Sequence, residues 1–438
     1  MLSLGEKVKI LRKNKNISQM NMASIIGVKT DKIVDVEAGK SEYSPRHIQA
    51  IKELFDIVGM PLEDSDRPAF VMRLYRWRDY ARDERISEAK KMREEMFKVV
   101  NLEPCDYDIV MLYKIFEANM LITEDNYLAA EKELILMQSE IDRMSNESLF
   151  HYYYYCGCLS LYKKQYESSL NLFLKACELL EFHDNLLPGY DRTRERLYYN
   201  AAWCYSRIDI PYHAISFLHK AKEVYSEYIT NDIGLRMDNL FAQNYIKVNQ
   251  LYKAEKILDE CLVKAQGIND YFYISLTMHN LGLLHKKAED WKTAISYFDQ
   301  AMDYSQESSD SYKSALFRKA HCLVEAREFP KAQKLLEQAI IRYSSDEAWT
   351  IRYEALWHYL IITRRRSVYN KESSEYIKNV AIPYFENTND CFLAVDYCKL
   401  LELHYQDIRS LRNASLMTKK IRDIYERCFV NPEKRIVL

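Results

Sequence analysis

The stretch HNLGLLHKKAEDWKTAISYFDQA, residues 279–301, decides the fold of this chain. It places one small residue, Gly282, twelve positions before a second one, Ala294, and follows them with Phe298 and Ala301. Small residues at two such sites let antiparallel helices approach closely across a short turn. The stretch therefore predicts two antiparallel helices that cross at Gly282 and Ala294.

The same pattern recurs along most of the chain. Its second small residue falls at Ala130, Ser169, Ala214, Ala254, Ala294 and Ala332, and its first at Ala118, Gly157, Ala202, Ala242, Gly282 and Ala320. Weaker matches at Ala89, Ser373 and Ala414 extend the rhythm to about nine helix pairs. A sustained period of about 40 residues indicates a solenoid, in which each unit buries its face against its neighbours. The pattern predicts an all-α, right-handed solenoid.

The composition supports helices and excludes several other classes. The 438 residues include only 9 Gly and 9 Pro, whereas doubly wound α/β folds, β-barrels and β-sandwiches use glycine in turns and close backbone approaches. The formal net charge is -2, so no global basic field indicates nucleic acid. Residues 1–60 are locally basic, with ten Lys or Arg against seven Asp or Glu, which is compatible with contacts to phosphate.

Chemical motifs are missing from the sequence. There is no GxxxxGK[ST], GxSxG, HExxH or GxGxxG pattern, so we do not expect an enzyme. The ten cysteines form no CxxC pair; we expect them to be reduced and to act as small hydrophobes, with no metal or cofactor bound. No apolar signal segment or stretch of 18 apolar residues occurs, which predicts a cytoplasmic protein without a membrane span.

Two prolines mark a boundary early in the chain. Pro61 and Pro68 bracket a short polar segment, and because proline interrupts helices we interpret residues 61–69 as a linker. This division predicts a small domain over residues 1–60 and a repeat domain over residues 70–438.

The small domain contains the stretch LRKNKNISQMNMASIIGVKTDKIVDVEAGK, residues 11–40. Ser18 is placed to cap a helix, Ala23 to lie at a helix crossing, and Gly27 to make the turn between two helices. This arrangement resembles the helix-turn-helix domain of phage-repressor-like regulators, which implies a five-helix domain that binds DNA. Arg12 and Glu37 match positions that pair in this fold, and we assign them a structural role.

In such domains the second helix of the motif lies in the major groove. The resemblance therefore gives a set of candidate DNA contacts: Ser18, Gln19, Lys29, Thr30, Asp31, Lys32, Asp35 and Lys40. Asp31 and Asp35 are repelled by phosphates unless they accept from a cytosine amine. We therefore expect DNA binding that is weak, highly sequence-selective or regulated.

The combination of this domain with long-period, tetratricopeptide-like repeats resembles the RRNPP family of Gram-positive peptide-pheromone receptors (Rap, Rgg, NprR, PlcR and PrgX). The domain order and length resemble the NprR and PlcR type. In that family a short signalling peptide binds the concave groove of the solenoid and alters the dimer, and with it DNA binding. The resemblance implies three partners, namely a double-stranded DNA operator, a short peptide and a second copy of the chain.

Two other functions stay open at this point. A Rap-like regulator would sequester a signalling partner through its repeats, with DNA binding weak or absent. A scaffold with a vestigial DNA-binding domain is a further possibility. The late repeats near Ser373 and Ala414 are our prediction for the dimer contact, since one helix-turn-helix alone buries too little DNA surface for high specificity.

An extended peptide presents amide groups that Asn and Gln side chains can bond. Taking the first helix of each repeat as the concave lining gives these peptide-binding candidates: Asn119, Tyr154, Arg196, Tyr199, Asn200, Trp203, Arg236, Asn239, Gln243, Asn244, His279 and Asn280. Arg196 and Arg236 lie one repeat apart and could hold a carboxylate between them. The alternative for each polar residue is a solvated face or a bond between helices, and for Tyr154 it is packing between repeats.

Overall fold

The computed structural model describes residues 3–55, 67–83, 85–96, 107–182, 192–224, 231–388 and 390–427. Within these ranges the chain consists of helices and the turns between them, without a strand, so the predicted all-α class is confirmed. Within the same ranges, no helix combines the length and the apolar character needed to cross a membrane.

Four short helices begin the chain: α1 Leu4–Asn14, α2 Gln19–Ile26, α3 Thr30–Glu37 and α4 Pro45–Leu54. Serine caps the first, second and fourth of them, because the hydroxyls of Ser3, Ser18 and Ser44 accept from otherwise orphaned amides. The fifth helix expected in this domain is not tested, because residues 56–66 lie outside the described residues.

The next pair consists of α5 Arg67–Arg82 and α6 Ile86–Met96. Since α5 begins at Arg67, the last three residues of the predicted linker, 67–69, are helical. The sequence PAFVMRLYRW after Arg67 explains the difference, because proline fits the first turn of a helix as well as it fits a linker.

The remaining helices are α7 Tyr107–Thr123, α8 Tyr127–Met137, α9 Asn146–Tyr162, α10 Tyr166–Phe182, α11 Thr193–Arg207, α12 Pro211–Val224, α13 Asn231–Lys247, α14 Leu251–Gly267, α15 Tyr271–Lys287, α16 Trp291–Asp303, α17 Asp310–Glu325, α18 Phe329–Arg342, α19 Glu347–Arg364, α20 Lys371–Tyr376, α21 Ile382–Asn387, α22 Cys391–Asp407 and α23 Leu411–Tyr425. A π-helical turn over Ile377–Ala381 joins α20 to α21. Counted from α5, with α20 and α21 taken as one broken helix, this arrangement confirms the predicted solenoid of about nine pairs.

The small residues lie where the pattern predicted. Each second small residue, from Ala89 to Ala414, is buried in the second helix of its pair. The first small residue is matched to the side chain sixteen positions later. A Cβ at Gly157 or Gly282 would lie 2.6 Å from the ring of Phe173 or Phe298. Where the first residue is alanine, at 118, 202, 242 and 320, the residue sixteen later is leucine. Glycine with phenylalanine and alanine with leucine are thus two fillings of one site.

The turns within the pairs share one backbone feature. Seven residues, each five positions before the second small residue, have φ between +58° and +61°; they are Asp125, Lys164, Asp209, Asn249, Glu289, Arg327 and Arg409. The next amide bonds back to a carbonyl of the preceding helix, as Asp290 N does to His285 O at 2.9 Å. This is the left-handed helix ending that glycine usually provides. A chain poor in glycine therefore makes these turns with other residues, at about 1 kcal/mol each.

The described cysteines are mostly inert thiols. Burial raises the pKa of Cys156 and Cys204 to about 12. Cys391 differs because it is disulfide-bonded, so the expectation of reduced cysteines was wrong at this position. Sequence spacing could not reveal this bond, since a disulfide depends on which two Cβ atoms the fold brings together.

The chain forms two compact units, Met1–Gln165 with Leu172–Tyr190, and Tyr166–Asn171 with Asp191–Leu438. Within the second unit, the first helices of successive pairs, α11, α13, α15, α17, α19 and α22, pack on one another as well as on their own partners. The second helices α12, α14, α16 and α18 pack chiefly on the helices next to them in sequence. The first helices are therefore closer together, and we call the side they form the inner surface of the second unit.

Candidate functional site

The surface formed by α2 and α3 is the first candidate site. The hydroxyl of Ser18 accepts from the Asn21 amide at 3.1 Å and so fixes the start of α2. Gly27, with φ of +74°, ends α2 and allows α3 to begin three residues later. Six of the eight candidate DNA contacts are exposed, namely Ser18, Lys29, Thr30, Asp31, Asp35 and Lys40. The other two, Gln19 and Lys32, are half-buried.

A buried ion pair beneath this surface joins α1 to α3. Arg12 donates to both carboxylate oxygens of Glu37, at 2.7 and 2.9 Å. Gln19 donates to the same carboxylate at 2.8 Å, so its amide also holds α2 against α3. Burial alone would raise the pKa of Glu37, but these hydrogen bonds hold it below its usual range. The structural role assigned to Arg12 and Glu37 agrees with this geometry.

Two of the peptide-binding candidates lie in the first unit. Asn119 on α7 is buried, and within the described residues its side-chain nitrogen has no hydrogen-bond partner. Tyr154 on α9 is buried among aromatic rings, stacked on Phe150 and in edge contact with Tyr155. Its ring also contacts that of Phe173 on α10, so the position of Tyr154 corresponds to packing between helices.

Three asparagines of the second unit are buried between or within helices. Asn280 on α15 donates to Asn239 on α13 at 2.8 Å and accepts from Gln243 at 3.1 Å. Asn239 also exchanges hydrogen bonds with Thr277, and Asn244 donates to the Leu240 carbonyl at 2.8 Å. The contacts of Asn239, Gln243, Thr277 and Asn280, which we call the amide network, join α13 to α15, whereas the Asn244 bond lies within α13. That Asn239, Asn244 and Asn280 contact a peptide stays a prediction, and their burial does not favour it.

The other candidates of the second unit are more accessible. Arg196, Tyr199, Asn200 and Trp203 on α11, Gln243 on α13 and His279 on α15 are half-buried. Arg236 is exposed, and its Nε donates to the Tyr273 hydroxyl at 2.9 Å. Burial lowers the pKa of His279 to about 3, so its ring is neutral at physiological pH.

A further polar cluster lies on α15 and α17, and the sequence analysis missed most of it. Lys286, Arg318 and His321 influence one another electrostatically, and we call them the charged cluster. Burial first, and then repulsion by Arg318, lowers the pKa of Lys286 to about 8. The carboxylate of Asp396 on α22, three helix pairs further along, acts in the opposite direction and raises the pKa of Lys286. Both α15 and α17 are first helices of their pairs, so the cluster lies on helices that form the inner surface.

A sequence signal for this cluster existed. Asn200 and Asn280 each precede a first small residue by two positions, and Arg318 stands in the same place before Ala320. Trp203 and Gln243 each follow a first small residue by one position, as His321 follows Ala320. Applying the same two repeat positions to the next first helix, α17, would have selected both Arg318 and His321. In the described part of the chain, no group of three His, Cys, Asp or Glu side chains is arranged to hold a metal ion.

Comparison with known proteins supports the repeat assignment. A family model described as tetratricopeptide repeat matches residues 273–345. The regulatory protein RapD of Bacillus subtilis (strain 168) is 23% identical over 234 residues, which cover 52% of this chain and 64% of RapD. The alignment therefore spans less than two thirds of that relative. The transcriptional activator NprA of Geobacillus stearothermophilus is 21% identical over 351 residues, which cover 79% of this chain and 85% of NprA.

Solved structures share the fold. A Rap protein complexed with competence and sporulation factor has a TM-score of 0.66 at 16% identity, covering 82% of this chain and 99% of that one. NprR in complex with its cognate peptide NprX has a TM-score of 0.61 at 21% identity, covering 82% of this chain and 98% of that one. The aligned relatives and the shared helical array confirm the predicted resemblance to the RRNPP family of peptide-pheromone receptors.

Proposed function

We propose that this chain is a transcriptional regulator that binds DNA through α2 and α3 and a short signalling peptide on the inner surface of its repeats. The observation that carries the proposal is the pairing of two features in one chain. One is the α2–α3 surface, whose first helix is capped by Ser18 and whose second is held by the Arg12–Glu37 ion pair, and which exposes Lys29, Thr30 and Asp31. The other is a curved helical array with half-buried polar residues on its inner surface. On binding, the peptide would switch DNA binding or the oligomeric state of a cytoplasmic homodimer.

The relatives support both halves of the proposal. NprA is named a transcriptional activator, and NprR binds its cognate peptide NprX. The α2–α3 surface offers lysines for phosphates or guanine edges and a serine-capped helix start that can dock on a phosphate. Its two aspartates, Asp31 and Asp35, limit general affinity and favour a sequence-selective interaction.

The DNA half is tested by replacing Lys29 with glutamine in the full chain. Duplexes selected from a random-sequence library on the wild-type protein serve as the probe, and binding is followed by fluorescence anisotropy over a salt series. Loss of one phosphate contact should weaken binding by about threefold to tenfold and reduce the salt slope by about one.

Lys91→Gln is the matched control, because Lys91 is also an exposed lysine and belongs to α6 rather than to α2 or α3. It should leave both the affinity and the salt slope unchanged. Failure of the wild-type chain to enrich any duplex, or equal effects of the two substitutions, would contradict the assignment of DNA binding to α2 and α3.

A second function follows from the alignment with RapD, which is named a regulatory protein. In this alternative the repeats sequester a protein partner, and DNA binding is weak or absent. The exposed carboxylates of Asp31 and Asp35 on α3 favour it. Removing residues 1–60 distinguishes the two functions, because a sequestering protein would still capture its partner while a DNA-binding regulator would lose its duplex.

A further inference from the structure

Two cations on the inner surface of the second unit lack the partners that other cations of this unit have. Lys247, Lys313 and Arg352 each contact a carboxylate, with N–O distances of 2.6, 2.7 and 3.1 Å. Among the described residues, neither Lys286 nor Arg318 lies within ion-pair distance of a carboxylate. Carboxylates act on both cations only from beyond ion-pair distance, namely Asp396 on each of them, Glu325 on Lys286 and Asp390 on Arg318. Keeping a partly desolvated cation without a direct ion pair costs free energy. Such groups are expected where a ligand supplies the missing charge.

His321 gives a second, independent observation. It is 5% exposed, and both of its ring nitrogens are buried without a hydrogen-bond partner in the described part of the chain. Burial, followed by repulsion from Lys286 and Arg318, keeps its pKa well below the usual range, so the ring is neutral. A neutral imidazole carries one N–H donor. Buried donors without partners are rare in native proteins, and each one calls for an explanation.

We propose that Lys286, Arg318 and His321 form a carboxylate-binding subsite for the ligand, a proposal that rests on the peptide-receptor function above. The guanidinium of Arg318 offers a planar fork that matches both oxygens of a carboxylate, and Lys286 adds a point charge. The His321 ring adds a neutral N–H donor. At neutral pH the anionic groups of an unmodified peptide are carboxylates, either at its C-terminus or on Asp and Glu.

The surrounding carboxylates define what fits. Glu325 already accepts from the Tyr359 hydroxyl at 2.7 Å, and Asp390 pairs with Arg352. Asp396 has no ion pair within the described ranges, and burial raises its pKa although Lys286 attracts its charged form. An ionised Asp396 would repel a densely charged anion more strongly than it repels a single carboxylate. A peptide with one carboxylate at this point matches the subsite better than a polyphosphate does.

The test uses the full chain and a synthetic library of short peptides with free termini, captured on immobilised protein and identified by mass spectrometry. An enriched peptide is then made in three forms: the free acid, the C-terminal amide, and the version with Asn or Gln for Asp or Glu. Fluorescence anisotropy gives the affinity of each form for the wild type and for Arg318→Gln. For the form that carries the recognised carboxylate, Arg318→Gln should weaken binding by about tenfold to hundredfold. If the C-terminal amide binds more weakly than the free acid, the recognised carboxylate is the C-terminus. If only the Asn or Gln version binds more weakly, it is a side chain.

Two further variants make the result decisive. Arg318→Lys keeps the charge but loses the fork, and should restore part of the affinity. Arg342→Gln removes an exposed arginine of α18 and should change nothing. If Arg318→Gln discriminates between the peptide with the recognised carboxylate and its neutral counterpart (the C-terminal amide or the Asn or Gln version) as well as the wild type does, the subsite is wrong while the peptide-receptor function stands. If the wild type enriches no peptide at all, the proposed function fails, and the subsite with it.

Discussion

Two neighbouring contacts on the inner surface use polar residues in opposite ways. Between α13 and α15, the amide network closes on itself, since Asn239, Gln243 and Asn280 bond one another and Thr277. Between α15 and α17, Lys286, Arg318 and His321 lie close together without making hydrogen bonds or ion pairs within the described residues. The first contact is complete without a ligand, and the second is not.

The difference teaches that a polar residue at a given repeat position has no fixed role. Asn280 and Arg318 occupy equivalent positions, two before the first small residue of their repeats. Asn280 is fully buried because Asn239 and Gln243 reach it from the preceding helix. Among the described residues no side chain of α15 makes a hydrogen bond or ion pair with Arg318, and Asp390 and Asp396 act on its charge only from beyond ion-pair distance. The neighbouring helix, rather than the residue itself, decides between a structural and a receptive role.

The largest expected effect is on stability, at the amide network. Asn239→Ala removes a buried side chain and leaves Asn280 and Thr277 without one of their partners. Unsatisfied buried polar groups of this kind cost about 1 to 3 kcal/mol each. We expect a loss of about 2 to 4 kcal/mol in the free energy of unfolding, measured by urea denaturation followed by circular dichroism.

Arg318→Gln provides the contrasting measurement in the same assay. Because Arg318 has no ion pair to lose among the described residues, its replacement should change the free energy of unfolding by less than about 1 kcal/mol. If Arg318→Gln destabilised the chain as much as Asn239→Ala does, the charged cluster would be as important for stability as the amide network, and the contrast between them would be wrong.

An intermediate effect is expected from pH. The pKa of Lys286 is lowered to about 8, so its cation is present below that pH and is lost above it. The affinity for a carboxylate-bearing peptide should therefore be highest below pH 8 and fall by several-fold at higher pH, as measured by anisotropy. A bound carboxylate favours the protonated lysine and shifts the fall towards more alkaline pH.

Lys286→Arg is the control for this profile, because arginine keeps its charge throughout the alkaline range. Four other groups face Lys286, namely Arg318, Cys322, Glu325 and Asp396, and the pKa of Cys322 is raised to about 11. His321 faces the lysine too, and it stays neutral. A fall in affinity that persisted unchanged in Lys286→Arg would assign the titration to another group.

The smallest effect is expected at Arg236, the arginine that the sequence analysis selected to hold a carboxylate. Its side chain is exposed and donates to the Tyr273 hydroxyl. Arg236→Gln should change peptide affinity by less than about threefold, because an exposed charge contributes little. A loss of peptide affinity as large as that expected for Arg318→Gln would place the carboxylate site at Arg236, as the sequence analysis predicted, rather than at Arg318.

Spacing in the sequence was enough to predict the repeat architecture. The positions of Gly282, Ala294 and their equivalents predicted the pairs, because tight helix crossings tolerate few residue types. The polar lining was harder to predict, since burial of Asn239 and Asn280 depends on which side chains the adjacent helix presents. The spacing of residues along one helix does not reveal which side chains of the neighbouring helix it will contact. Arg318 was missed because charge on a helix surface usually faces solvent.

The two fillings of the helix crossing limit how this array can change by recombination. A whole pair carries its own match, whether Gly282 with Phe298 or Ala242 with Leu258. Exchanging single helices between pairs would set alanine against phenylalanine, with a clash, or glycine against leucine, with a cavity. Each helix pair is therefore the smallest unit that can be duplicated, deleted or transplanted intact, and hybrids joined at the intervening turn should fold poorly.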